Sequence, residues 1–311
     1  MTGRPSATQT RARVPLQRGH ERAPSLPKPA LRRRLTATWQ TLRSTRGLTL
    51  RYAAVTDVPE IVDIDLHTFD RVYREYDQDH HSIRDELLDK FAKRLDNVAK
   101  WTPVVLDRGK IVGFMMGCPT HREPEDFTTW EEMTDNGTLQ STYSSAGRNV
   151  YIATLSIVPE RSSTPAKSML FAAQVGRIIL NNADQAFFES RLPGLRSWAE
   201  RHCRQRGVRL DELSEHETTA LAQTYFNLTR TINGKAVPYD RLLRIYHEVG
   251  SKFVKLVPGA YRDHPSMDFG VLTVFPNPLP SWARRRRVVR NLIGRLILLA
   301  ARSPMIARRM F

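Results

Sequence analysis

Residues 149–158, NVYIATLSIV, form a strand-like apolar run that enters the segment PERSSTPAKSMLFAAQVGRIIL without a linker. In that segment Pro165 stands at a helix start, and Met169, Leu170, Ala173 and Leu180 share one face at helical spacing. A strand feeding directly into an amphipathic helix points to an α/β protein, in which helices cover a sheet.

The flanking sequence extends that pattern. Residues 48–55, LTLRYAAV, alternate as a strand does, and Asp57-Val58-Pro59 offers a helix start followed by Ile61, Ile64, Asp65 and Phe69. A second helix is predicted over residues 82–99, with Ser82 as its N-cap and Ile83, Leu87, Phe91 and Leu95 on one face. PVVLD and KIVGFMMG, separated by Arg108-Gly109, read as a hairpin. Residues 119–148 are polar and irregular, long for a loop in a compact domain. Residues 184–190 read as a strand, and the signal from Leu192 to Asn233 is helical, with Leu221, Tyr225, Leu228 and Ile232 in a stripe. Residues 239–254 predict a helix ended by Gly250 and then a strand, and residues 269–275 a last strand. The expected body is 48–280, with a helical insertion over about 192–235.

The chain has 311 residues, 48 of them Lys or Arg against 32 Asp or Glu, for a formal charge of +16. The excess sits at the ends. Residues 1–50 carry eleven basic residues and one acid, Glu21, and residues 281–311 carry nine arginines and no acid. The body between them is mildly acidic, so nucleic acid is not an expected partner, since that needs a basic domain face. Residues 1–30 are too polar to offset their ordering entropy, and residues 1–47 are read as a basic, largely disordered extension. Cys118 and Cys203 are too few and too distant for a thiolate metal site or a disulfide framework. A reducing, cytoplasmic setting fits them, and no N-terminal apolar run suggests a secretory leader.

The turn between the strand at 149–158 and the following helix suits a pyrophosphate, because helix N-termini present unpaired N–H groups and a partial positive charge. Here the sequence resembles the GNAT acyltransferase superfamily. The family turn reads Arg/Gln-x-x-Gly-x-Gly/Ala, and Arg161-Ser162-Ser163-Thr164-Pro165-Ala166 matches its first and last positions. Thr164 replaces the middle Gly, and Pro165 has no N–H to donate. A family helix reading Asn-x-x-Ala-x-x-Leu-Tyr-x-x-x-Gly-Phe is similar to YDRLLRIYHEVGSKF, with Leu242 on the Ala, Tyr246 on the Tyr and Gly250 on the Gly. Tyr239 stands for the Asn, and Phe253 comes two residues late.

The resemblance implies a mixed, mostly antiparallel twisted sheet flanked by helices. It implies acyl transfer from acetyl-CoA or a longer acyl-CoA, or from acyl carrier protein, to an amine acceptor. Ser156, Ile157 and Val158 would present backbone groups to the pantetheine arm. Arg161, Ser162, Ser163, Thr164 and Ala166 would hold the phosphates, and Tyr246 would protonate the leaving thiolate. Against this, the alternatives are that residues 161–166 are a polar strand-to-helix loop and Tyr246 a core aromatic. Glu189, His67 and His121 are candidate bases, none of them singled out. Thr164, Pro165, Tyr239 and the missing base keep a second class open, a catalytically silent GNAT-fold module that binds a membrane, protein or nucleic acid.

Three further features stand out. His80-His81, flanked by Asp77 and Asp79, read as a solvated loop rather than a metal site, because adjacent histidines point apart. Residues 119–148 hold Glu123, Glu125, Asp126, Glu131, Glu132 and Asp135, read either as a solvated insertion or as an acidic rim attracting a cationic amine. Residues 281–311 predict an amphipathic helix with Val288, Val289, Leu292, Ile293, Leu296, Ile297, Leu299 and Ala300 on one half. Arg290, Asn291, Gly294, Arg295 and Arg302 take the other half, with Leu298 as the exception. With its arginines and Trp282, that tail suits the interface of an anionic membrane at its inner face; docking on the body is the alternative.

Overall fold

The computed structural model describes residues 47–76 and 80–311, so the N-terminal extension up to residue 46 and the flanking Asp77 and Asp79 lie outside the described residues. β1 (Leu48–Tyr52) buries Leu48 and Leu50 and exposes Thr49 and Arg51, as its alternation requires. α1 (Val58–Thr68) opens with Pro59 in its first turn and buries Val58, Ile61, Val62, Ile64 and Asp65. α2 (Asp70–Tyr76) and α3 (His80–Val98) follow. The α3 stripe of Ile83, Leu87, Phe91 and Leu95 is buried as expected, and Phe91 meets Phe114 edge-on at 5.9 Å. Ser82 is not the cap. The helix already runs from His80, two residues earlier.

β2 (Pro103–Asp107) and β3 (Lys110–Thr120) form the predicted hairpin. Arg108 and Gly109 both take positive φ, 51° and 85°, the left-handed pair that a two-residue hairpin turn needs. After a loop containing the single-turn α4 (Trp130–Met133), β4 (Asn149–Ile157) passes into α5 (Ala166–Leu180) and then β5 (Gln185–Arg191). The seven strands of the main sheet lie in the order β1-β2-β3-β4-β5-β9-β8, with β8 (Lys252–Val257) and β9 (Gly270–Pro276) from the end of the body. β4 and β5 pair in parallel, joined over the sheet by α5, and the other pairs described are antiparallel. The result is the expected mixed, mostly antiparallel sheet between helices.

The insertion departs from its all-helical reading. α6 (Leu195–Gln205) and α7 (Glu215–Asn227) are helical, but β6 (Thr229–Ile232) and β7 (Lys235–Pro238) then form a hairpin. The β-branched Thr229, Thr231 and Ile232 followed by Asn233-Gly234, with φ of 50° and 75°, outweigh the helical spacing of Leu228 and Ile232. The insertion has its own small core of Leu192, Leu195, Ala222 and Tyr225 packed with Leu243, Phe269 and Val271. The Tyr225 hydroxyl donates to Asp240 Oδ2 at 2.8 Å, and Asp240 caps α8 (Arg241–Glu248) through the N–H groups of Leu242 and Leu243.

The C-terminal segment is three helices rather than one: α9 (Ser281–Arg285), α10 (Arg287–Ala301) and α11 (Pro304–Met310). They belong to the same compact unit as the sheet. α10 docks on α5 through the face that the helical wheel had assigned as polar. A Cβ on Gly176 would come within 2.6 Å of Leu298, and one on Gly294 within 2.7 Å of Leu180. Glycine on both helices lets the backbones approach, which a count of side-chain polarity cannot register. Leu298 therefore faces the body, while Val288, Leu292, Leu296 and Leu299 stay exposed. α5, pressed between the sheet and α10, is buried on nearly every side.

Candidate active site

The parallel pairing of β4 with β5 covers only Asn149–Tyr151 against Gln185–Phe187. Beyond it β4 follows β3 to Ile157 and β5 follows β9 to Arg191, so the two strands part. A wedge opens in the middle of the sheet, with Ile152 and Phe188 at its apex. A bulge reinforces the parting: register steps from Gly117↔Ile152 to Met116↔Thr154 and leaves Ala153 unpaired on β4. The Ala153 carbonyl turns instead to the indole N–H of Trp130 at 3.3 Å. The backbone N–H of Trp130 reaches the Ala260 carbonyl, from the β8–β9 connection, at 2.7 Å. Trp130 thus bridges the two halves of the sheet across the wedge.

The loop that carries Trp130 is therefore not a loose insertion. Phe127, Met133 and Leu139 are buried in the main core, and the buried Arg94 guanidinium donates to the Gly137 carbonyl. Its carboxylates at Glu123, Glu125, Asp126, Glu131 and Glu132 face outward, as an acidic rim on a packed base.

Glu189 stands on β5 where the wedge opens, half-buried, and accepts the Tyr151 hydroxyl at 2.8 and 3.0 Å on its two oxygens. Burial raises its carboxyl to about 8; the Tyr151 hydrogen bond opposes the rise, and nearby Glu131 adds to it. On the other face of β5, Tyr246 of α8 packs edge-on against Phe188 at 4.7 Å and Phe171 at 6.3 Å. Burial, and then the charge of Glu189, hold the Tyr246 phenol above its ordinary range, so it stays protonated at neutral pH. Tyr246 is a core aromatic, buried against Phe188 and Phe171 on the face of β5 opposite Glu189. Asp65, buried on α1, is raised in the same way and accepts the Tyr73 hydroxyl at 2.7 Å.

The strand residues assigned to the donor divide. Val158 N–H donates to the Val112 carbonyl at 3.0 Å. Alternation along an antiparallel pair then turns the backbone of Ser156 toward β3 as well, and that of Ile157 toward the wedge. The Ser156 side chain lies 3.4 Å from Asp65 Oδ1. In the turn, the N–H groups of Arg161, Ser162 and Thr164 bond to the carbonyls of Val158, Pro159 and Arg161, and Ala166 N–H bonds to Thr164 Oγ1. Arg161 itself is paired with Asp107. The expected cradle over residues 161–166 is thus largely bonded to itself, because Thr164 and Pro165 close a tight turn. Helix geometry leaves the N–H groups of Lys167 and Ser168, one turn further on, without partners within α5. The Lys167 amine is held below its ordinary range by burial, with Glu248 opposing.

Sequence reasoning missed Trp130, Tyr151 and Lys167. The signal for Glu189 was present, a single carboxylate in the apolar strand AFFES. His67 and His121 are not among the groups that gather around Glu189. Among the described residues no group of three or more His, Cys, Asp and Glu is placed to hold a metal.

The sheet order, its one described parallel pair, the wedge with its bulge, and the helix leaving β4 define a GNAT-superfamily fold. Solved structures agree. The chain is similar to the loading GNATL domain of CurA from Lyngbya majuscula, at TM-score 0.54 and 14% identity over 74% of this chain and 98% of that one. It is also similar to the GphF GNAT-like decarboxylase in complex with isobutyryl-CoA, at TM-score 0.51 and 16% identity over 73% of this chain and 98% of that one. No protein-family model and no curated protein matches the sequence.

Proposed function

We propose that this protein is an acyltransferase that moves an acyl group from acyl-CoA to an amine. The observation that carries the reading is that β5 carries beside the wedge both Glu189, a half-buried carboxyl raised to about 8, and, on its other face, the neutral phenol of Tyr246. Two groups whose environments favour a proton acceptor and a proton donor are what thioester aminolysis needs. Glu189 takes a proton from the acceptor ammonium. The free amine attacks the thioester carbonyl, backbone N–H groups lining the wedge stabilise the oxyanion, the C–S bond breaks as Tyr246 protonates the sulfur, and the new amide nitrogen gives its surplus proton back to the Tyr246 phenolate. The first turn of α5 supports the phosphates through the Lys167 amine and the open N–H groups of Lys167 and Ser168. The acidic rim around Glu131 favours a cationic acceptor. The isobutyryl-CoA in the GphF complex supports acyl-CoA as donor; acyl carrier protein is the alternative, and the CurA structure is described as a loading domain.

The site would work at an anionic membrane on its cytoplasmic face. Val288 is 81% exposed and Leu299 64%, and Leu292, Leu296 and Trp282 join them on an outward ridge. Arg285, Arg286, Arg287, Arg295 and Arg302 are exposed around it. No helix among the described residues is long and apolar enough to cross a membrane, so the ridge would lie in the interface.

One observation favours a second reading, a silent binding module: the phosphate turn bonds to itself and its Arg161 is occupied by Asp107. Titration calorimetry with acyl-CoAs decides between them. Binding with turnover lost in Glu189→Gln supports the enzyme, whereas no heat with any acyl-CoA leaves the silent module.

A further inference from the structure

Beside the wedge, between α5 and the end of α8, lies a small, partly open cavity of about 20 Å³ whose walls include Met115, Ile152, Phe171, Val175, Ile178 and Phe188. Gln174 and Ser251 also line it; the Gln174 amide N–H donates to the Trp101 carbonyl at 2.9 Å, and its buried Oε1 finds no partner among the described residues. One wall is not part of the body. Phe311, the residue that follows α11, closes the cavity, stacked on Phe171 with ring centroids 6.2 Å apart and 29° between planes. Its carbonyl accepts the Ser168 hydroxyl at 3.0 Å, on the first turn of α5, beside the turn that leaves β4.

We propose that this pocket is the acyl-chain site, and that Phe311 fills it in place of a donor chain longer than acetyl. The proposal rests on the acyl-thioester reading above and adds the class of donor.

Three observations lead there. Ile152 and Phe188 are the first residues beyond the last parallel pair, so the pocket opens at the apex, where a thioester lying in the wedge would direct its chain. Most of the walls are apolar side chains, with Gln174 and Ser251 as the polar exceptions, so the pocket favours hydrocarbon over a charged group. The plug is attached differently from every other wall. It sits on a seven-residue helix whose Met305, Ile306 and Met310 are exposed and whose Ala307 alone is buried. Displacing that short helix disrupts far less apolar contact than separating α5 from the sheet. Vacated by its ring, the Phe311 site and the adjoining void admit a hydrocarbon chain of several carbons. A chain that long fills space that the aromatic ring leaves empty, and an acetyl group does not reach it.

The test is calorimetry of acetyl-CoA and octanoyl-CoA with the full chain, with Phe311→Ala, and with a chain ending at Ser303, each checked for folding by its thermal melt. Removing the ring should tighten octanoyl-CoA by about tenfold and leave acetyl-CoA within about threefold, since only the longer chain enters the vacated pocket. Phe311→Ala keeps α11 and reports on the ring alone should the shortened chain fail to fold. An equal gain for both ligands makes Phe311 a cover over the groove and overturns the pocket, while the acyl-thioester reading survives. Unchanged octanoyl-CoA affinity in both variants overturns it in the same way. If no acyl-CoA binds any of the three proteins, the acyl-thioester reading falls, and the pocket with it.

Discussion

Glu189 and Tyr246 lie on opposite faces of β5 and reach their protonation states by different routes. Glu189 loses water and gains the Tyr151 hydroxyl and a backbone N–H, which do not offset that loss, so its ionised form is disfavoured up to about pH 8. As a base it must be ionised, so the rate is expected to rise with pH through about 8, and Glu189→Gln to lower kcat by about 10²–10⁴-fold and abolish that rise. The same shift has a stability consequence of opposite sign. The folded protein holds a proton that the unfolded chain releases near 4.5, so the contribution of Glu189 is full below that pH and is lost as pH climbs to about 8. Denaturant melts between pH 5 and 8 should show wild-type stability falling by up to about 1.4 kcal/mol per unit from this group, and Glu189→Gln should flatten that slope. Buried Asp65 is shifted the same way, so part of the slope persists in the variant. Tyr246→Phe keeps the packing on Phe188 and Phe171 and removes only the proton. A fall of about 10–100-fold in kcat with an unchanged melt identifies it as the acid; unchanged kcat leaves it a core aromatic.

Among the elements, the strands of the main sheet and the helices α1, α3 and α5 were legible because each carries its own period. The stripe Ile83, Leu87, Phe91 and Leu95 and the Arg108-Gly109 turn are local statements that the fold merely accepts. α10 was not legible in that way. Its docking face is set by Gly294 and Leu298 meeting Gly176 and Leu180 of α5, a match between two segments about 120 residues apart that neither one announces. Gly294→Val should therefore destabilise the protein by about 1–3 kcal/mol, measured by denaturant melts, because the new methyl groups have only Leu180 and Ile179 to displace. The loop at 119–148 gives the same lesson, since its polar sequence conceals the buried Phe127, Met133 and Leu139 that seat Trp130 over the wedge.

For the molecule as a whole, the charge of +16 gathers at the two ends, and at the C-terminal end it surrounds an exposed apolar ridge. Flotation with anionic vesicles should carry the protein upward, weaken in high salt, and fail for Leu292→Glu with Leu296→Glu; equal partitioning of the variant removes the membrane role. The chain by itself determined the order of elements, the strand-to-helix turn after β4, and the basic, apolar character of its last thirty residues, because period, turn chemistry and charge are carried by neighbours in sequence. The tertiary structure alone decided which backbone groups line the wedge, that Tyr151 and Glu189 share a proton-bearing contact, which side of α10 faces outward, and that Phe311 fills a pocket. Those depend on burial and on contacts between distant segments, and burial is what shifts the proton affinity of an ordinary carboxylate and decides which surface an ordinary aromatic covers.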